Sequence, residues 1–196
     1  MNAASFIDFR TPAAGFDQPL AMWHACHERV ARMNNMLQRL VDYLKSHAVD
    51  KDAQVTAASV RRYFEEAAPR HHEDEEIDLF PRLQEKLRQQ SSGPAAEHIG
   101  AAIQALLTDH DEMHALWTTL RAQLLQVEAG ENPGFDDAQV MLFVTRYRAH
   151  IEIEESEIGP ALKRLLNDED LRQIGEGMAR RRGVDWAEIS GKLGRS

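Results

Sequence analysis

Residues 70–83 read Arg-His-His-Glu-Asp-Glu-Glu-Ile-Asp-Leu-Phe-Pro-Arg-Leu, which places two histidines beside five acidic residues. Residues 149–162 repeat the pattern as Ala-His-Ile-Glu-Ile-Glu-Glu-Ser-Glu-Ile-Gly-Pro-Ala-Leu. A shift of 79 positions aligns the two stretches, and each contains His-x-x-x-Glu-Glu with a proline ten residues after the histidine. A solvated acidic helix does not usually carry paired histidines at its start, so the repeat indicates a functional site.

Each copy of the repeat pairs a histidine with a glutamate four residues later. On an α-helix, residues i and i+4 lie on the same face, about 6 Å apart along the axis. His71 with Glu75, and His150 with Glu154, would therefore each direct an imidazole nitrogen and a carboxylate to one point. Both groups are metal ligands, so the sequence predicts metal-binding chemistry in both copies.

The register of the first copy has an alternative. His72 and Glu76 are also four residues apart, so they could serve in place of His71 and Glu75. The apolar seam that continues from Phe64 through positions 71, 75, 79 and 83 favours His71 and Glu75.

The apolar residues around both motifs recur with a helical period. Four long segments follow this pattern, at about residues 19–47, 52–90, 95–128 and 135–166. Pro69 and Pro81 are expected to kink or disturb the second segment. We therefore predict an all-α, up-down-up-down four-helix bundle. The predicted organisation is an N-terminal arm at 1–18, the bundle at 19–166, and a C-terminal extension at 167–196 with a short helix near 169–181.

The first and third segments also correspond, because a shift of 83 residues places His27 on His110. Polar residues on the predicted core faces then come from all four helices: His27, His71, Glu75, His110, His114, His150 and Glu154. Burying carboxylates and imidazoles without partners is costly, so this layer indicates metal. Seven ligands exceed the four of one zinc ion and suit two octahedral ions that share carboxylate bridges. Such ligands with an open position favour iron or manganese over zinc or copper.

This combination of motifs resembles the hemerythrin family, specifically the hemerythrin-like (HHE) cation-binding domains, over roughly residues 20–165. The matching stretches are residues 26–30, residues 71–81, Asp109-His110 with His114, and His150-Ile151 with Glu154-Glu155. The resemblance implies a hemerythrin-like bundle with two iron ions (Fe2+/Fe3+), bridged by carboxylates and by an oxo or hydroxo group. It implies that one iron is held by His110, His114 and His150, the other by His27 and His71, and that the bridges are Glu75 and Glu154.

One position departs from the pattern of the oxygen-carrying members of that family. Those proteins usually have an aspartate five residues after the histidine of the fourth helix. Here Glu155 takes that place and Glu154 precedes it, so either glutamate could be the bridge. The variation resembles the HHE group and argues against reversible oxygen carriage.

The composition makes several other classes of protein improbable. The net charge of −9 disfavours binding to nucleic acid through bulk charge. The single cysteine, Cys26, excludes an internal disulfide framework and favours a reducing compartment. The N-terminus lacks the pattern of a secretory signal and no stretch of 18 apolar residues occurs, so we expect a cytoplasmic protein without a membrane span.

Two further groups of charged residues have less specific interpretations. His24 forms a His-x-x-x-Glu pair with Glu28, which we interpret as a solvated edge rather than a site. The arginines at 180–182 are either a solvated helix end or partners for the acidic residues of the motifs.

These observations predict a non-haem di-iron protein that binds dioxygen, nitric oxide or iron for sensing, storage or stress response. Histidine-rich ligation leaves less negative charge at the centre than four carboxylates would, which favours binding of a small diatomic ligand or peroxide over oxidation of substrates. The alternative is a di-iron enzyme for peroxide or nitric oxide detoxification or Fe–S cluster repair. An acidic bundle without a specific metal is a third hypothesis. The sequence leaves open the physiological ligand, any protein partner and any homo-oligomer.

Overall fold

The computed structural model of the chain describes residues 15–90, 93–187 and 189. Within them the fold is all-α, as the sequence predicted, with these α-helices: α1 (Pro19–Leu44), α2 (Lys51–Arg62), α3 (Ala68–Asp74), α4 (Phe80–Gln90), α5 (Pro94–Glu128), α6 (Asp137–Ile153), α7 (Gly159–Leu165) and α8 (Asp168–Arg181). Three π-helical turns join neighbouring α-helices: Tyr63–Ala67, Glu75–Leu79 and Glu154–Ile158. These turns continue the helical path, so the bundle has four rods. Rod 1 is α1, rod 2 spans residues 51–90, rod 3 is α5 and rod 4 spans residues 137–165.

Each π turn ends just before a dipeptide whose second residue is proline. The N–H groups of Ala68, Phe80 and Gly159 close the three turns by bonding to carbonyls five residues back. The next residues are Pro69, Pro81 and Pro160. Proline has no N–H, and its ring meets the carbonyl four residues back, so a one-residue widening of the helix accommodates it. The disturbances predicted at Pro69 and Pro81 therefore take the form of π turns inside a continuous rod.

The four rods form a square in which rods 1 and 3 each contact both rods 2 and 4. Consecutive rods are connected by short segments, so neighbours run antiparallel. The side chains of Asp50 and Asp136 cap rods 2 and 4 by accepting hydrogen bonds from the N–H groups of Ala53 and Ala138. This arrangement confirms the predicted four-helix bundle.

A layer of polar side chains separates two apolar clusters inside the bundle. The first cluster is built by residues such as Val30, Val60, Met113 and Phe143, and the second by residues such as Trp23, Leu79, Leu106 and Ile158. Burial of these side chains supplies the main driving force for folding. On every rod the buried histidines and glutamates lie in sequence between a residue of one cluster and a residue of the other. The apolar clusters therefore hold the polar layer at one level of the bundle.

Helix α8 lies against α1 and against the part of rod 2 that carries the first motif. Its N-terminus is fixed by a capping box between Asn167 and Asp170. At its other end Arg181 and Arg182 donate hydrogen bonds to the buried carboxylate of Asp74. The structure thus shows these two arginines paired with a motif acid rather than as a solvated helix end.

The predicted N-terminal arm lies largely outside the described residues, which begin at Gly15. Phe16 is half-buried and packs against the cluster that contains Trp23. Among the helices of the described ranges, none combines the length and the apolar character needed to cross a membrane.

Candidate metal centre

The polar layer contains six side chains that converge from all four rods. Rods 1 and 3 contribute one histidine each, and rods 2 and 4 contribute a histidine and a glutamate each. We call this set the central cluster: His27, His71, Glu75, His110, His150 and Glu154. All six residues are between 0 and 5% exposed. The cluster is therefore a buried set of four imidazoles and two carboxylates.

One half of the central cluster is built around His27 and His71. Their rings lie 5.0 Å apart between centroids. His27 Nε2 is 3.2 Å from Glu154 Oε2, and His71 Nε2 is 3.1 Å from Glu75 Oε1. Ligand atoms of these four residues all lie within 4.8 Å of one another. This half offers two nitrogens and two carboxylates to a single ion.

The other half of the central cluster is built around His110 and His150. Their Nε2 atoms are 3.3 Å apart. His110 Nε2 is 3.4 Å from Glu75 Oε2, and His150 Nε2 is 3.4 Å from Glu154 Oε2. Two nitrogens at this separation can share one ion, because metal–nitrogen bonds to histidine are about 2.0–2.1 Å long in zinc sites. Glu75 therefore offers a different oxygen to each half.

Several ligand atoms of the central cluster are buried without a directed hydrogen bond. They are His27 Nε2, Glu75 Oε2 and both carboxylate oxygens of Glu154. Buried polar atoms normally have partners, and leaving one unsatisfied costs about 1–3 kcal/mol. These atoms lie close together yet do not point at one another as donors and acceptors. This donor set fits metal ions placed between them.

The second glutamate of each motif holds a histidine of another rod from outside. His110 Nδ1 donates to Glu76 Oε1 at 2.6 Å, and His27 Nδ1 donates to Glu155 Oε1 at 2.5 Å. The two pairs correspond in sequence, because the shift of 79 places Glu76 on Glu155 and the shift of 83 places His27 on His110. A carboxylate on the outer nitrogen fixes the tautomer and the orientation of a metal-binding histidine. The structure thus places Glu154 inside the cluster and Glu155 outside it.

Glu75 has an additional partner that breaks this two-fold pattern. The indole Nε1 of Trp23 donates to Glu75 Oε1 at 2.6 Å. The residue equivalent to Trp23 on rod 3 is Leu106, which has no such donor. The sequence placed Trp23 in the apolar core, and its role as a hydrogen-bond donor depends on a contact between rods that periodicity does not reveal.

The two central carboxylates have opposite pKa shifts. Burial, reinforced by the nearby charge of Glu154, raises the pKa of Glu75 to about 7. Burial also opposes ionisation of Glu154, but the imidazoles of His150 and His27, whose Nε2 atoms lie 3.4 and 3.2 Å from Glu154 Oε2, outweigh it and hold the pKa of Glu154 well below its usual range. Without metal, the layer therefore carries one firmly ionised carboxylate and one that is partly protonated at neutral pH.

The histidines of the first half differ in the same way. Burial lowers the pKa of His27, but the nearby carboxylates of Glu154 and Glu155 outweigh that effect and raise the value to about 9. Burial lowers the pKa of His71 to about 3, so His71 is neutral and its nitrogen is free to bind metal at neutral pH. His27 must lose a proton before it can become a ligand.

The structure does not bring His114 into the central cluster, although the sequence placed it on the core face. Its side chain is exposed, while the neighbouring Met113 and Trp117 are buried. The buried face of α5 runs through residues 106, 110, 113, 117 and 120, which turns position 114 outward. The half-buried His72 lies closer, with its ring stacked on His110 at 3.9 Å between centroids.

His24 lies at a solvated edge, as the sequence predicted, but its partner in the structure is Glu155 and not Glu28. His24 is exposed, but its Nδ1 donates to Glu155 Oε1 at 2.6 Å. Glu155 lies 131 residues away on rod 4, so no local spacing could have indicated this partner.

Comparison with known proteins finds a family and one relative. A family model described as Hemerythrin HHE cation binding domain matches residues 18–162, which include the whole central cluster. A protein of Haemophilus influenzae named "Uncharacterized protein" is 31% identical over 173 residues, covering 87% of this chain and 94% of the relative. The bundle and its buried histidine–glutamate layer agree with the family match.

Proposed function

The chain belongs to the hemerythrin family of HHE cation-binding domains, and from that premise we propose that it holds two iron ions and binds a small ligand at them. The ligand class is dioxygen, nitric oxide or peroxide, used for sensing, storage or stress response. In this proposal His27 and His71 hold one ion, His110 and His150 hold the other, and Glu75 and Glu154 serve both.

The observation that carries this proposal is the position of Glu75. Its Oε1 lies 3.1 Å from His71 Nε2 and its Oε2 lies 3.4 Å from His110 Nε2. A single carboxylate thus faces one histidine of each half with a different oxygen. A mononuclear site would leave one of these pairs unexplained and buried.

The donor types support iron as the metal. Mixed imidazole and carboxylate ligation suits iron, manganese and zinc, and a set larger than four ligands argues against a closed zinc site. When bound, ferrous ions supply open coordination positions and readily donated electrons for a small ligand. The chain supplies the neutral His71, the hydrogen-bonded supports Glu76 and Glu155, and the burial that excludes bulk water.

The burial of the central cluster limits the size of what can react there. All six side chains are at most 5% exposed, and apolar clusters lie on both sides of the layer. A ligand of two or three atoms could reach such a centre with small side-chain movements, whereas a large substrate would require the rods to separate. This favours binding of small ligands over turnover of larger substrates.

A ligand-binding assay separates the binding role from the enzymatic one. Protein loaded with ferrous iron without air is exposed in turn to dioxygen, nitric oxide and hydrogen peroxide, with metal-free protein as control. We expect an optical change with nitric oxide that reverses when nitric oxide is removed, and peroxide consumption that stops after about one equivalent per centre. Sustained consumption of peroxide or nitric oxide would contradict the binding role and favour a detoxifying enzyme.

Metal affinity is expected to rise steeply with pH. Before metal binds, His27 keeps its proton up to about pH 9 and Glu75 is half protonated near pH 7. Burial lowers the pKa of His110, but the carboxylates of Glu75 and Glu76 outweigh that effect and raise it, so His110 also holds a proton near neutral pH. The ions must displace all these protons, so apparent affinity should rise by at least about tenfold per unit between pH 7 and 9 and more steeply below pH 7. His71 is already neutral at these pH values, so no proton competes with the metal ion for its nitrogen.

Titration calorimetry at pH 6, 7 and 8, in buffers with different ionisation enthalpies, measures both the affinity and the protons released. An affinity that does not change with pH, with no proton release, would contradict the placement of His27 and Glu75 as ligands.

A further inference from the structure

A second group of metal-binding side chains lies on the surface side of His27. The Nδ1 atoms of His24 and His27 lie 2.6 and 2.5 Å from the same oxygen, Oε1 of Glu155. Ligand atoms of these three residues lie within 4.8 Å of one another. The side chain of His24 is 58% exposed and that of Glu155 is 36% exposed, so solvent reaches this group directly.

The equivalent place on the other side of the bundle lacks the outer histidine. There Glu76 holds His110 in the same way that Glu155 holds His27. The residue equivalent to His24 under the shift of 83 is Leu107. The pair of Glu76 and His110 shows that a carboxylate alone can orient a buried histidine. The presence of His24 beside Glu155 therefore needs another explanation.

His27 connects this surface group with the central cluster. Its Nδ1 faces Glu155 on the outside, and its Nε2 lies 3.2 Å from the fully buried Glu154 on the inside. Glu154 and Glu155 are consecutive residues, so the outer and inner carboxylates belong to the same turn of rod 4. Nitrogen and oxygen ligands thus extend without a gap from solvent to the interior.

We propose that His24, Glu155 and the outer nitrogen of His27 form a surface capture site for a divalent transition-metal ion on its way to the central cluster. Two imidazoles and a carboxylate suit ions such as Fe²⁺ and Co²⁺. Water fills the remaining positions of an ion held there, because the site is open to solvent. The ion then passes the ring of His27 to the inner carboxylate. This inference rests on the proposed function of the central cluster.

The test compares the rate of metal uptake with the amount of metal finally bound. Metal-free protein is mixed with excess Co²⁺ in a stopped-flow instrument, uptake is followed by the visible absorption of bound cobalt, and the ions that remain bound are counted after desalting. The variant is His24→Ala. The matched control is His98→Ala, because His98 is also an exposed histidine, paired at 2.8 Å with Glu157, and does not contact the central cluster.

We expect His24→Ala to slow uptake by about tenfold, the lower range of what local attraction contributes to association rates. The number of ions bound at the end should equal that of the wild-type protein, and His98→Ala should match the wild type in both respects. Equal rates for His24→Ala and the wild type would overturn the capture site. A loss of tightly bound ions in His24→Ala would also overturn it, because His24 would then be part of the permanent site.

Failure of this inference is distinguishable from failure of the proposed function. Two tightly bound ions with uptake independent of His24 would keep the central cluster and remove the capture site. A wild-type protein with no tightly bound ion, but with one weak ion that His24→Ala abolishes, would remove the central cluster as a metal centre and keep the surface site.

Discussion

Replacing Glu75 with glutamine is expected to remove both metal ions and yet to leave the metal-free protein at least as stable. Glu75 is the carboxylate that faces a histidine of each half, so its loss weakens both halves together. Substitutions of residues that merely support a ligand cost about 10–100-fold in metal affinity, and a shared ligand should cost at least about 100-fold. Metal content per chain after desalting measures this effect.

The stability half of this prediction follows from the pKa of Glu75. Burial raises that pKa to about 7, above the value of the unfolded chain. The free energy of unfolding therefore falls as pH rises from the pKa of Glu75 in the unfolded chain to its pKa in the folded protein. The neutral amide of Glu75→Gln does not ionise, so this variant avoids the fall. We expect a gain of about 1–3 kcal/mol in the free energy of unfolding at pH 7 without metal.

Glu154→Gln is the matched control, because Glu154 has the same burial but the opposite pKa shift. Glu154 is held ionised by His150 and His27, and its stabilising effect is present above the unfolded pKa. Glu154→Gln should therefore also lose metal, but should destabilise the metal-free protein by about 1–3 kcal/mol. Urea unfolding with a chelator present measures both variants. A Glu75→Gln variant that retains two ions, or that loses as much stability as Glu154→Gln, would contradict this account.

Replacing Asp74 with alanine is expected to destabilise the protein by about 3 kcal/mol and to release α8 from rod 2. Asp74 is 2% exposed and accepts hydrogen bonds from Arg181 and, with both oxygens, from Arg182. Removing the carboxylate leaves the largely buried guanidinium of Arg182 without the carboxylate that both its terminal nitrogens bind, and leaves Arg181 with Asp78 as its remaining carboxylate partner.

Urea unfolding measures the loss for Asp74→Ala, and hydrogen exchange at residues 168–181 measures the release of α8. Glu169→Ala is the control, because Glu169 forms an exposed ion pair with Arg172 on α8 itself and should leave the unfolding midpoint unchanged. Equal midpoints for Asp74→Ala and Glu169→Ala would show that α8 does not depend on the buried pair.

The bundle was predictable because its signals are local. Helical periodicity located the four rods, and the spacing of Pro69 and Pro81 indicated where rod 2 departs from a regular α-helix. The repeat placed a histidine and a glutamate on one face of rods 2 and 4, which the structure reproduces. The N-terminal arm is the part of the prediction that falls mainly outside the described residues.

The remaining details of the candidate site depend on the exact phase of each helix and on contacts between rods. His114 lies one turn after His110, and a small rotation of α5 decides whether both can face the core. Glu76, Glu155 and Trp23 act on residues of other rods, so their partners cannot be inferred from spacing along one helix. The pairing of α8 with Asp74 is of the same kind, because it joins residues more than 100 positions apart.

The most direct test of the central claim is the iron content per chain of the wild-type protein, His110→Ala and His114→Ala, purified without a histidine tag. We predict two irons for the wild type and for His114→Ala, and one or none for His110→Ala, because the structure buries His110 beside His150 and exposes His114. Fewer than two irons in the wild type, or equal losses in the two variants, would contradict a four-histidine, two-glutamate di-iron centre.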